Sequence, residues 1–111
     1  MPVTPIIAPE QFEEVMELSK YRLIIIDFWA PWCDPRKELS SHFETMSNDE
    51  SLERIGFYKI DIDALPFVAQ KCKVSVMPTF KCFRNGVWAG EINGSDRDKL
   101  DKFVRAQAQK A

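Results

Sequence analysis

A chain of 111 residues is one-domain length and long enough to bury a hydrophobic core, and 45% apolar with 29% charged residues is the composition of an ordinary globular protein. A net charge of −2 gives no electrostatic case for binding nucleic acid or an anionic membrane surface. No run approaches the ~20 apolar residues that a transmembrane helix needs.

The first residues, Met1-Pro2-Val3-Thr4-Pro5, lack the basic start and apolar stretch of a signal peptide. Three cysteines, an odd number, do not suit a secreted disulfide framework. A reducing, cytoplasmic location is therefore expected, with residues 1–111 forming one domain. Pro2 and Pro5 weaken the first strand candidate, residues 3–7, and mark it as an edge. Pro9 suits the first turn of a helix whose Phe12, Val15 and Met16 recur at helical spacing. Residues 23–28 form a continuous apolar, β-branched run, which predicts a strand covered on both faces.

A second helix is predicted to begin near Cys33 and to carry Leu39, Phe43 and Met46 on one face. Asp49-Glu50 reads as a solvated loop. Residues 55–62 read as another strand, with Phe57, Lys59 and Asp61 alternating against Tyr58, Ile60 and Ile62. A short helix is predicted over residues 65–72. Thr79-Phe80-Lys81-Cys82-Phe83, the turn Arg84-Asn85-Gly86 and residues 87–92 predict a β-hairpin. Ser95, with Asp98 three residues on, has the pattern of a helix-starting cap. The last helix then turns Leu100, Phe103 and Val104 inward and places Arg105 and Lys110 toward its C-terminal end. The order βαβαβαββα predicts an α/β fold, a central mixed β-sheet flanked by helices on both faces.

Several separated motifs carry more than a fold class. Asp27-Phe28-Trp29-Ala30-Pro31-Trp32-Cys33, Lys59-Ile60-Asp61-Ile62-Asp63, Val76-Met77-Pro78-Thr79-Phe80, Asn85-Gly86 and Gly94 follow one another in order along the chain. In this constellation nearly the whole chain resembles the thioredoxin family. The resemblance implies the thioredoxin fold, with Cys33 as the attacking thiol and Asp27 as a buried acid that relays protons beside the charge of Lys59. It also implies a cis peptide bond at Pro78 facing Cys33. That arrangement exposes the backbone of Val76 and Met77 to pair with an extended substrate peptide, a form of strand addition. Trp32, Asp34, Pro35 and Gly94 would border the groove.

The sequence departs from the family pattern twice. Arg36 stands where the family has its second cysteine, so the site reads Trp32-Cys33-Asp34-Pro35-Arg36. Ser41 stands where the family commonly has a helix-kinking proline, so a straighter helix is expected. The attacking species in thiol–disulfide exchange is the thiolate. A helix N-terminus at Cys33, the fixed positive charge of Arg36 three residues on and the sharp helix start set by Pro35 all favour it. Asp34 and Asp27 oppose them.

A single thiol cannot pass two electrons by closing its own disulfide. The expected function is a monothiol oxidoreductase, in which Cys33 attacks a protein disulfide or a glutathionylated protein and an external thiol such as glutathione resolves the intermediate. The alternative is a redox-inactive module that keeps the groove for binding peptides or proteins. A weaker third reading is a glutathione-assisted metal or iron–sulfur dimer built on Cys33. No tightly bound cofactor is expected, and Cys33, Cys72, Cys82 and the single His42 form no metal-type spacing. Cys82, alternating with Phe80 and Phe83, reads as core. Cys72 reads as an inert thiol, as the link of a disulfide-bonded dimer in an otherwise monomeric protein, or as a distant resolving thiol that the implied fold would place far from Cys33. His42 reads as a helix-face residue, and Trp88 as a strand tryptophan partly in the core.

Overall fold

Ile24, Ile25, Ile26 and Phe28 are fully buried, and the strand they form is the centre of the molecule. The computed structural model describes residues 3–33, 36–94 and 96–110, with the backbone alone for residues 36 and 37. Within them run β1 (Thr4–Pro5), α1 (Pro9–Leu18), β2 (Ile24–Trp29), α2 (Arg36–Ser47), β3 (Gly56–Asp61), α3 (Pro66–Lys71), β4 (Thr79–Arg84), β5 (Val87–Asn93) and α4 (Arg97–Lys110). The strands form one sheet in the order β1-β3-β2-β4-β5. β3 runs parallel to β1 and β2, whereas β4 is antiparallel to both of its neighbours. This is the thioredoxin fold expected from the sequence.

The alternation of side chains along a strand divides the core into two layers. Ile25 of β2, Phe57 of β3 and Phe80 and Cys82 of β4 pack under α2 and α4, against Leu39, Phe43, Met46, Leu100 and Val104. Ile24, Ile26 and Phe28 face the other way, toward Phe12 and Val15 of α1 and Val68 of α3. Both helical layers present apolar residues at the spacing that the sequence predicts. β1 lies at the sheet edge, where Pro5 costs no ladder hydrogen bond to a further strand.

Local signals explain the ends of the elements. Pro9 occupies the first turn of α1, where its missing N–H would find no helical partner. Asn85 and Gly86 both have positive φ, at 56° and 76°, as a tight hairpin turn requires. Ser95 lies outside the described residues, and the cap of α4 falls one residue later. Asp96 Oδ1 accepts from the backbone N–H of Asp98 at 2.9 Å and of Lys99 at 3.2 Å, so a carboxylate meets two free donors of the first turn. α2 runs unbroken through Ser41, which has the backbone N–H that a proline would lack.

Two surface expectations need correction. Asp49 and Glu50 are not a plain solvated loop, because a 3-10 turn spans Glu50–Leu52 and Asp49 caps it by accepting from Ser51 N and Oγ. Asp49 also pairs with Arg105 at 3.2 Å, and Arg105 holds Asp101 at 3.1 Å. Asp101 in turn bonds His42 Nε2 at 3.2 Å, tying α4 to α2 and the 3-10 turn. The hydrogen bonds from Ser51 and then Arg105 hold the Asp49 carboxyl below its ordinary range. Trp88 is 59% exposed rather than partly in the core. It sits on the edge strand β5, and its ring lies 5.6 Å from the Lys81 ammonium.

Phe43 joins α2 to the sheet through ring contacts of 5.1 Å with both Phe57 and Phe80. Phe43→Ala is expected to lower unfolding free energy by about 3–5 kcal/mol, from lost transfer energy and the cavity left behind. Urea unfolding measures this, and a loss below about 1 kcal/mol would show that Phe43 does not anchor this layer.

Candidate active site

The registers of the sheet gather the site at one end. Phe28 of β2 pairs with Thr79 of β4, and Thr79 pairs with Asn93 of β5. The chain leaving β2 toward Cys33, the chain entering β4 from Val76, and Gly94 beyond β5 therefore leave the sheet at the same end. The Met77–Pro78 bond is cis. Gly94 has φ +101°, a conformation favouring glycine, and its N–H bonds the Pro78 carbonyl at 3.2 Å. Thr79 Oγ1 donates to the Val76 carbonyl and fixes the residues before the proline. Val76 is exposed, Met77 half-buried and Pro78 buried.

Cys33 is 7% exposed, and its N–H closes a turn onto the Ala30 carbonyl at 3.1 Å. Trp32 beside it is 64% exposed. Asp34 and Pro35 lie outside the described residues, and so does the side chain of Arg36, whose backbone opens the described part of α2. Trp32, Cys33, Val76, Met77, Pro78 and Gly94 thus belong to one end of the fold.

Asp27 lies deeper. Alternation along β2 turns Ile24, Ile26 and Phe28 toward α1 and α3, which leaves Asp27 on the α2 face with Ile25. It is 1% exposed. Ser40 of α2 donates its hydroxyl to Asp27 Oδ2 at 3.0 Å. Lys59 is the register partner of Asp27 on β3. Both line a cavity of about 110 Å³ together with Val3, Trp29, Ser40, Phe43 and Glu44. Ser40 is a site residue that sequence reasoning missed. Its signal was its place one residue after Leu39 and three before Phe43, on the inward side of a helix over a strand with one acid.

The other two cysteines sit elsewhere. Cys82 is wholly buried in the layer beneath α4, with its thiol 3.7 Å from Gln107 Oε1. Burial pushes its pKa up to about 11, against partial relief from Arg84 and Lys110. Cys72 follows α3, half-buried against the opposite layer. Burial raises it to about 11 as well, with Lys81 and Lys71 lowering it in part. His42, expected on a helix face, is only 14% exposed at its side chain because of its bond to Asp101. Among the described residues no three potential ligands cluster around a metal position, and no helix is long and apolar enough to cross a membrane.

A lone cysteine beyond the central strand, a cis proline at the same end of the sheet and a buried acid behind them define a protein built for thiol–disulfide exchange. Comparison with known proteins agrees. The thioredoxin family model matches residues 3–106. The thioredoxin of Malassezia sympodialis is 38% identical over 95 residues, covering 86% of this chain and 89% of that protein. An H-type thioredoxin of Chlamydomonas reinhardtii is 38% identical over 90 residues, covering 81% and 79%. The crystal structure of the Malassezia sympodialis thioredoxin superposes with a TM-score of 0.89 at 33% identity, covering 97% of this chain and 95% of that one. The chain belongs to the thioredoxin family of thiol–disulfide oxidoreductases.

Two outcomes follow from this geometry. Ser40→Ala removes the hydroxyl donor from a buried carboxyl group, and is expected to cost about 1–3 kcal/mol in urea unfolding, with no change indicating that the bond contributes nothing. In a Cys33→Ser background, alkylation of Cys72 by iodoacetamide should be slow near neutrality. Its rate should climb about tenfold per unit between about pH 7.5 and 9.5, because only the thiolate reacts. Peptide mass spectrometry reads the rate, and a plateau within that range would contradict the raised pKa.

Proposed function

We propose that this protein is a monothiol oxidoreductase that relies on glutathione, or a thiol of similar chemistry, for the second half of its reaction. The Cys33 thiolate attacks the glutathione sulfur of a glutathionylated protein. The old sulfur–sulfur bond breaks, the protein thiolate leaves and takes up a proton, and Cys33 is left bonded to glutathione. A free glutathione thiolate then attacks the glutathione sulfur of that adduct. Oxidised glutathione leaves, and the Cys33 thiolate returns. One external thiol is consumed for each glutathione removed from a protein. A disulfide between two protein sulfurs requires two, the first resolving the mixed disulfide between Cys33 and the protein and the second removing the glutathione that remains as oxidised glutathione.

The observation that carries the reading is the position of the three thiols. Arg36 stands where a resolving cysteine would be, Cys82 is sealed in the core, and Cys72 packs in the layer on the far side of the sheet from it. With pKa values near 11, neither is a competent nucleophile near neutral pH. The second thiol must then come from outside. Arg36, three residues after Cys33 in the sequence, contributes a fixed positive charge that attracts a glutathione carboxylate. Asp27, with Lys59 beside it and Ser40 holding one oxygen, accepts the proton of the incoming thiol through the small cavity beneath. The cis-proline segment pairs with the backbone of the client. Clients are protein disulfides and glutathionylated proteins, and the reaction belongs in a compartment that holds reduced glutathione.

The decisive experiment follows reduction of a glutathionylated peptide, with and without glutathione, by wild type and Cys33→Ser. Turnover that needs glutathione and vanishes in the variant is expected. No turnover by wild type would leave a thioredoxin-shaped binding module instead. Arg36→Cys should add glutathione-independent insulin reduction driven by dithiothreitol, at least about tenfold above wild type, because it restores an internal resolving thiol.

A further inference from the structure

The end of the sheet opposite Cys33 carries an open concavity of about 700 Å³. Its walls come from four segments: Ser19, Lys20, Tyr21 and Arg22 after α1, Leu23 entering β2, Glu53 and Arg54 before β3, and Arg84 and Asn85 at the β4–β5 turn. Four basic side chains and one acidic one line it, in a chain whose net charge is −2. Lys20 is already paired with Glu17 at 2.8 Å. Arg22, Arg54 and Arg84 have no carboxylate partner among the described residues.

These arginines are not explained by the helix end they surround. Lysine or arginine near a helix C-terminus commonly meets its last carbonyls. Here backbone donors already do so: Ser19 N reaches the Val15 and Met16 carbonyls, Lys20 N that of Glu17, and Tyr21 N and Arg22 N that of Leu18. Arg54 and Arg84 come from other segments altogether. Arg84 Nη2 is buried with no hydrogen-bond partner.

The walls are held in place. Asn85 N donates to the Ser19 carbonyl at 2.9 Å, and Gly86 N to Ser19 Oγ at 2.7 Å, clamping the hairpin onto the end of α1. Arg22 donates Nη2 to the Glu53 carbonyl at 2.9 Å and Nε to the Arg54 carbonyl at 3.3 Å. That fixes its guanidinium and leaves its remaining N–H groups available. Tyr21 stands 85% exposed at the rim.

We infer that this concavity is a binding site for an oligophosphate, formed by Arg22, Arg54 and Arg84 and independent of Cys33. One carboxylate fills one guanidinium fork, whereas three forks on separate walls suit an anion that presents oxygens on several sides. Turning toward such an anion also gives the Arg84 guanidinium the acceptor that its buried nitrogen lacks. The phosphate chain can be free or part of a nucleotide.

Isothermal titration of sodium tripolyphosphate into the reduced protein at low salt tests this. Saturable one-site binding is expected, weakening as sodium chloride is added. Arg54→Gln/Arg84→Gln should weaken it at least about tenfold, while Arg97→Gln on α4 leaves it unchanged. Adenosine triphosphate binding as tightly as tripolyphosphate identifies the phosphate chain as the ligand, and tighter binding adds the base, stacked on Tyr21. Backbone amide shifts on titration should concentrate at Lys20, Tyr21, Arg22, Glu53, Arg54, Arg84 and Asn85, which decides the matter even where a variant does not fold. Absence of saturable binding, equal loss in Arg97→Gln, citrate binding as tightly as tripolyphosphate, or shifts scattered elsewhere would overturn the proposal.

Discussion

Burial of β2 on both faces is the constraint on which the rest of the structure depends. A strand with neighbours on each side and helices above and below has no solvent to satisfy its polar groups, so its backbone must pair fully and its side chains must be apolar. Residues 24–28 obey that rule except at Asp27. The same burial fixes the register, since a slip by one residue would turn Ile24, Ile26 and Phe28 into the wrong layer. A fixed register in turn sets where β2 stops beside Thr79, and hence where the chain leaves toward Cys33. Precision at the reactive end of the molecule is thus inherited from packing several residues away.

Asp27 shows how a single polar residue is accommodated in such a strand. A carboxyl group moved out of water loses several kcal/mol of solvation unless other groups replace it. Ser40 Oγ is one replacement, supplied by the helix that the strand itself holds in place. α2 therefore has two tasks. Its apolar residues close the core, and its backbone and Ser40 address the reactive end. Phe43, three residues on from Ser40 in α2, joins the two, because a shift of α2 that loosened its contacts with Phe57 and Phe80 would also move Ser40 from Asp27.

The fold was legible in the sequence wherever period and punctuation agreed. Residues 23–28, the hairpin around Asn85-Gly86 and the apolar stripes of α2 and α4 carried both signals. What was not legible depended on contacts between distant segments. Asp49 reads as solvated until Arg105, 56 residues on, comes to lie beside it. Trp88 reads as partly buried because tryptophan usually is, and only the strand order reveals that β5 is an edge. Asp96 is a good cap by type, and its hydrogen bonds to the first turn of α4, which spacing does not reveal, give it that role. At the site, the thiol, the acid and the proline were visible as motifs, whereas Ser40 was marked only by its inward position beside Leu39 and Phe43, which does not say which polar group it meets.

A thioredoxin-fold site with one thiol would differ from a dithiol site in its rate law more than in its fold. In a dithiol site the resolving thiol is held next to the mixed disulfide, and its effective concentration far exceeds that of any thiol in solution. Resolution is then fast and independent of surroundings. With one thiol, the lifetime of a mixed disulfide is inversely proportional to the concentration of external thiolate, so a site of that kind turns over where free thiol is plentiful and holds its client where it is scarce. Catalyst and binding module are, for such a site, two ends of one kinetic scale.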